Sequence, residues 1–180
     1  MKNTTSRLIS IFIATIMLLT ITSSTIYGVD KTYKTSSAPP QISKELKGKE
    51  ELIKYFNEIK RIRNNMNTIS INAETAKQKS DTIQKQITSY SSELKTVLNL
   101  LTRFKVIYKD SPSDLFVANQ IEIIAFILDS SLQQQALLVN RLAQGEATDL
   151  FFSEYLVSIY YYLNIADEMI SYLERFYSIK

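Results

Sequence analysis

Cysteine and histidine are both absent from the 180 residues. Without them the chain cannot assemble a Ser-His-Asp or Cys-His triad, a thiolate or imidazole zinc site, or the Glu-x-x-His pairs of di-iron helical proteins. No disulfide framework exists either, so cysteine usage leaves the redox compartment open. Glycine and proline are nearly as scarce, three of each. No GxGxxG or GxxxxGK[ST] loop is present, and three scattered glycines cannot form a loop that cradles a phosphate. A chain with so few turn residues has few places to reverse direction, which argues against an all-β fold and for long helices. Catalytic residues, cofactors and metals are therefore expected to be none, and the protein is not expected to be an enzyme.

What is present is apolar side chains in a helical rhythm. Hydrophobic residues make up 45% and charged residues 22% of the chain, the balance of one folded domain. From residue 43 to 109 no proline occurs and Gly48 is the only glycine. Leu52, Tyr55, Ile59, Ile62, Met66, Ile69, Ala73 and Ala76 follow one another at spacings of three and four. Ile83, Ile87, Tyr90, Leu94, Val97, Leu101, Phe104 and Tyr108 continue the pattern, and only Ser80 interrupts the register. A seven-residue repeat of this length predicts a coiled-coil-like helix over 43–109. Unbroken phase favours continuity, with 43–77 projecting. A break near 64–72, at Asn64-Asn65-Met66-Asn67, would fold the first arm back into a closed up-down four-helix bundle.

The next boundaries are set by turn chemistry. Ser111-Pro112-Ser113-Asp114 offers a hydroxyl N-cap, proline at the first helical position and a carboxylate in the first turn, predicting a helix over 112–144. Gly145 can end it, Thr148 or Asp149 can cap the next, and a helix is expected over 148–179. The short connection makes these two an antiparallel hairpin. The fold class expected is thus all-α: an antiparallel helical bundle with a long first helix and a C-terminal helical hairpin.

Lys2 and Arg7 precede an uncharged run over 8–21, the pattern of a secretory leader, with Gly28 or Ser24 as the cleavage point. Residues 1–28 are read as a signal peptide; left uncleaved, the apolar stretch is long enough to act as a membrane anchor. Residues 29–42, with Thr35-Ser36-Ser37-Ala38-Pro39-Pro40, read as a flexible tether, and 43–180 as the helical domain. The location implied is secreted or otherwise outside the cytoplasm.

Few constellations carry chemistry. Ser92-Glu93-Leu94-Lys95 matches a Ser-x-x-Lys spacing, but its companion motifs are missing, and a chain with 20 serines and 15 lysines produces such a match by composition. Asp110 with Asp114, and Asp167 with Glu168, lack the alternating acids of a calcium loop; helix capping and a solvated face explain them. Lys60, Arg61 and Arg63 form a basic cluster suited to phosphates or an envelope polymer, although interleaved glutamates suit a solvated helix face as well. Export disfavours nucleic acid as a partner. Tyr160, Tyr161 and Tyr162 step round a helix by about 100° each, so they cannot all face the core, and Tyr161 is the one expected outside. Tyr155, Tyr162, Met169 and Phe176 are expected to widen the buried stripe.

Residues 29–109 hold 16 Lys plus Arg against 8 Asp plus Glu, and 110–180 hold 3 against 10. The two halves attract one another, within a chain or between copies. The function these features suggest is an exported, non-enzymatic binding or scaffold component of the cell envelope, partner unspecified, with a homo-oligomer through the heptad stripe as one form. A ligand-sensing bundle is one alternative. A membrane-active protein is another, because 150–166 and 115–128 carry one charge each.

Overall fold

A computed structural model describes residues 46–146 and 149–179. The leader, the tether and the Thr148 cap fall outside the described residues. The described chain is all-helical, with four helices packing against each other: α1 (Lys49–Met66), α2 (Ala73–Ile107), α3 (Pro112–Ala143) and α4 (Asp149–Tyr177).

A continuous 43–109 helix is not formed. The chain leaves helical geometry after Met66 and re-enters it at Ala73. Four asparagines between 64 and 72 are the reason, because their short amide side chains compete with the helix for backbone groups. The turn is held by Thr68 N–H to the Asn65 carbonyl (2.9 Å) and by Arg63 donating to Asn67 Oδ1 (2.7 Å). Asn72 then starts α2 with a reciprocal capping box: Thr75 N–H donates to Asn72 Oδ1 (2.8 Å) and Asn72 N–H donates to Thr75 Oγ1 (2.9 Å). Replacing Asn72 by Ala is expected to lower stability by about 1 kcal/mol, read as a shifted urea midpoint, because the cap has no substitute. The lapse of register at Ser80 also has a counterpart, since Lys79 departs from helical geometry (φ −135°, ψ 22°) and kinks α2 there.

The first arm folds back, and Leu52, Phe56, Ile59 and Ile62 of α1 are fully buried. They share one core with Leu94, Leu101 and Phe104 of α2, Ile121, Ile124 and Leu128 of α3, and Leu163, Ala166 and Leu173 of α4. The residues of the 3–4 stripe are thus largely taken up within the chain. Helix α3 is central and packs on each of the other three. Lys105 meets Glu122 and Gln84 meets Ala136 between α2 and α3, while Phe116 meets Tyr177 and Ser131 meets Ile159 between α3 and α4. Ser131 and Gln135 form a buried polar rung, the serine donating to the Ile159 carbonyl and the glutamine to the serine, both at 3.4 Å.

Gly145 takes the left-handed conformation (φ 73°) that closes α3, as its position suggests. Ser178 (φ 51°) does the same after α4, turning Ile179 back into the core.

The start of α3 departs from expectation in part. Pro112 and Asp114 stand in the first turn as expected, but Ser111 makes no side-chain cap, and the Asp114 carboxylate is also used elsewhere. Asp114 is fully buried and accepts from the amides of Lys47 (3.0 Å) and Gly48 (2.9 Å) and from the Ser111 hydroxyl. A carboxylate of α3 thus holds the backbone that leads into α1. Gly48 lies so close to the α2 rings that a Cβ there would stand 2.7 Å from Phe104 Cζ and 2.8 Å from Tyr108 Cε2. Phe104 in turn meets Tyr55 edge-on at 6.2 Å and Tyr108 at 4.3 Å.

Candidate functional site: the outer face of α4

Among the described residues, helix α4 has neighbours on one side only. Ile159, Leu163, Ala166, Ile170 and Leu173 point inward and are buried. At 100° per residue the opposite face carries Glu154, Val157, Tyr161, Asn164, Glu168, Tyr172 and Arg175, all exposed. Tyr161 is 61% exposed, and its ring meets that of Tyr162 at 5.7 Å. Tyr160, at 59%, is equally outside, and so is Phe176 at 56%. Neither was anticipated. With α3 on one flank and the side chains of α1 on the other, the buried sector of α4 is too narrow to enclose them. Tyr172 stacks on Phe176 at 4.8 Å and contacts Tyr177 at 6.0 Å. Burial, then Tyr172, pushes the Tyr177 phenol up to about 12.

Asp167, Glu168, Ser171, Tyr172, Arg175 and Phe176 line a shallow depression of about 360 Å³ on this face. Glu154, Glu168 and Arg175 form no ion pair among the described residues. The arrangement offers aromatic area and unpaired charge of both signs, the means of a contact surface, and no pair of groups poised for proton transfer.

The basic cluster is differently placed. Lys60 pairs with Glu174 and sits 5.6 Å from the Phe56 ring centroid. Arg61 binds Glu58 (2.6 and 3.0 Å) and also Glu93. Arg63, only 13% exposed, grips Asp167 with two bonds of 2.7 and 2.9 Å. All three side chains are engaged inside the chain, fastening α1 to α2 and α4. The Arg61 hydrogen bond holds the Glu58 carboxyl below its ordinary value. The help that carboxylate gives is therefore complete above the ordinary carboxylate range and fades as pH falls through the lowered value.

The remaining candidates stay apart. Ser92 and Lys95 are exposed on α2. Asp110 is exposed while Asp114 is bonded to backbone, and no group of three His, Cys, Asp or Glu side chains converges among the described residues. Position-by-position angles suffice to find Tyr161; the narrowness of the α4 core sector, which frees Tyr160 and Phe176, depends on packing. Comparison with protein-family models, curated proteins and solved structures gave no match.

Proposed function

We propose that this chain is an exported, non-enzymatic helical protein that serves as a binding or scaffold component of the cell envelope or extracellular space, and that the outer face of α4 makes the contact. One observation carries the binding reading: of the ten large hydrophobics left exposed among the described residues, five (Val157, Tyr160, Tyr161, Tyr172 and Phe176) lie on α4. Scattered single exposures are ordinary, but concentration on one helix face is what a contact surface has. The uncharged run behind Lys2 and Arg7 supports export. The finer architecture proposed is a closed, antiparallel up-and-down bundle with coiled-coil-like seams. Lys60–Glu174 and Arg63–Asp167 between α1 and α4 support it, because numbers rise on one helix as they fall on the other.

The test places a photo-crosslinking amino acid at Tyr161, or at the exposed control Ser92, in the full chain within producing cells. Adducts from 161 and none from 92 are expected. Equal adducts from both, or none from 161, would overturn the α4 assignment, and a chain found wholly in the cytosol would overturn export.

A membrane-active reading has one observation of its own. Helix α3 contains an 18-residue window of mean hydropathy 1.5, long and apolar enough to cross a bilayer. Its residues Ile121, Ile124, Ala125 and Leu128 are core residues, which accounts for that apolarity without a membrane. Dye release from liposomes separates the two readings.

A further inference from the structure

The outer face of α4 is self-complementary, and from this we infer that its occupant is a second copy of the same chain, paired antiparallel about a twofold axis near Asn164. The inference rests on the α4 face being a contact surface, and it names the partner.

The argument comes from the order of residues along the exposed strip. Glu154, Val157, Tyr161 and Asn164 follow at spacings of three, four and three; the half-buried Ile165 at the edge of the strip, then the exposed Glu168, Tyr172 and Arg175, repeat the same spacings. The strip is therefore a palindrome of positions about the point between 164 and 165. When two such helices meet antiparallel, the 3–4 spacing keeps both strips in contact along their length. The mirror positions then match chemically. Glu154 faces Arg175 of the second copy, and each is exposed and without an ion pair among the described residues. Val157 faces Tyr172, apolar against aromatic. Tyr161 faces Glu168, a phenol that donates to a carboxylate that accepts. Asn164 faces Ile165 of the second copy, which leaves the two Asn164 side chains flanking the axis, one on each side of it.

Parallel pairing loses every one of these matches, setting Glu154 on Glu154 and Arg175 on Arg175. A twofold antiparallel contact also closes on itself, giving a dimer and not a filament.

The area is adequate. At about 200 Å² per aromatic side chain, the exposed fractions of Tyr161 and Tyr172 on the strip come to roughly 200 Å², and Tyr160 and Phe176 on its two flanks add about as much again. With Val157 and the interleaved polar residues, the strip approaches the roughly 800 Å² per partner of a standard specific interface.

Because the chain has no cysteine, single thiols report without background. The full chain in intact producing cells, oxidised after substitution, is expected to give disulfide dimers with Asn164→Cys. Glu154→Cys alone and Arg175→Cys alone should give none, whereas the two co-expressed give the heterodimer. Charge reversal supplies a second reading: Glu154→Arg or Arg175→Glu should each lower the Asn164→Cys dimer fraction severalfold, and the double reversal should restore it. Homodimers at all three positions mean a parallel pair and overturn the inference. So does an Asn164→Cys chain that stays monomeric while a photo-crosslinker at 161 captures a different protein, an outcome that leaves the α4 contact surface standing. No adduct by either route removes both readings at once.

Discussion

Replacing Asp114 with alanine is expected to lower the free energy of unfolding by about 3 kcal/mol, measured by urea denaturation at neutral pH and followed by far-ultraviolet circular dichroism. The carboxylate is fully buried and accepts from three donors, two of them backbone amides at the entry to α1. Truncation leaves those amides without their acceptor, the Gly48 amide in a buried place, and the desolvation of that unmet donor is the larger part of the cost. Asp114→Asn keeps one acceptor oxygen and should lose about half as much. A loss below about 1 kcal/mol for the alanine variant, with unchanged denaturant dependence, would show that α1 is held by packing alone.

The second large effect belongs to Phe104. It is 1% exposed, lies edge-on to Tyr55, stacks with Tyr108 and covers the backbone of Gly48. Phe104→Ala should cost about 4 kcal/mol, combining lost transfer energy with a cavity that the surrounding rings fill only in part. Gly48→Ala, which drives a methyl group into the same rings, should cost about 2 kcal/mol by overpacking. The two substitutions meet in one space, so they are not additive. In the Phe104→Ala background, Gly48→Ala should lose at least half of its cost. Full additivity would mean that the strain lies in the backbone of the turn at 46–48 and not in ring contact.

These two sites show what the amino-acid sequence makes legible and what it hides. Helix α3 begins at Pro112 and closes at Gly145 because proline and glycine act locally, and both bounds can be read from the residues themselves. The end of α1 is harder. Apolar phase runs from Met66 through Ile69 to Ala73 across the turn, since Ile69 and Ile71 remain half-buried against the core and so mimic a continuing helix. Asn72 and Thr75 form a capping box with threonine in place of the usual glutamate or glutamine, a weaker sequence signal than a heptad.

The pairing of a basic first half with an acidic second half is visible in composition. Lys60–Glu174, Arg63–Asp167 and Lys105–Glu122 are the particular pairs that express it. Composition does not say that Lys60, Arg61 and Arg63 have partners within the chain, and so cannot separate a clamp from a ligand surface. Asp114 hides for a related reason: a carboxylate in a first turn serves its own helix in any local reading, and two of its three donors lie 66 and 67 positions earlier.

That distance along the chain bears on the order of assembly. An 18-residue helix draws most of its stability from packing, and the acceptor for its leading amides is made only after two further turns of the chain have been traced. Closing so long a loop has an entropic cost that the local α2–α3 and α3–α4 hairpins do not bear. The hairpins can zip as soon as they are synthesised, whereas the start of α1 is expected to be fastened last, to a partner that arrives late. In reverse, the lead into α1 is expected to open ahead of the rest, seen as faster amide exchange at Lys47 and Gly48 than in the middle of α3.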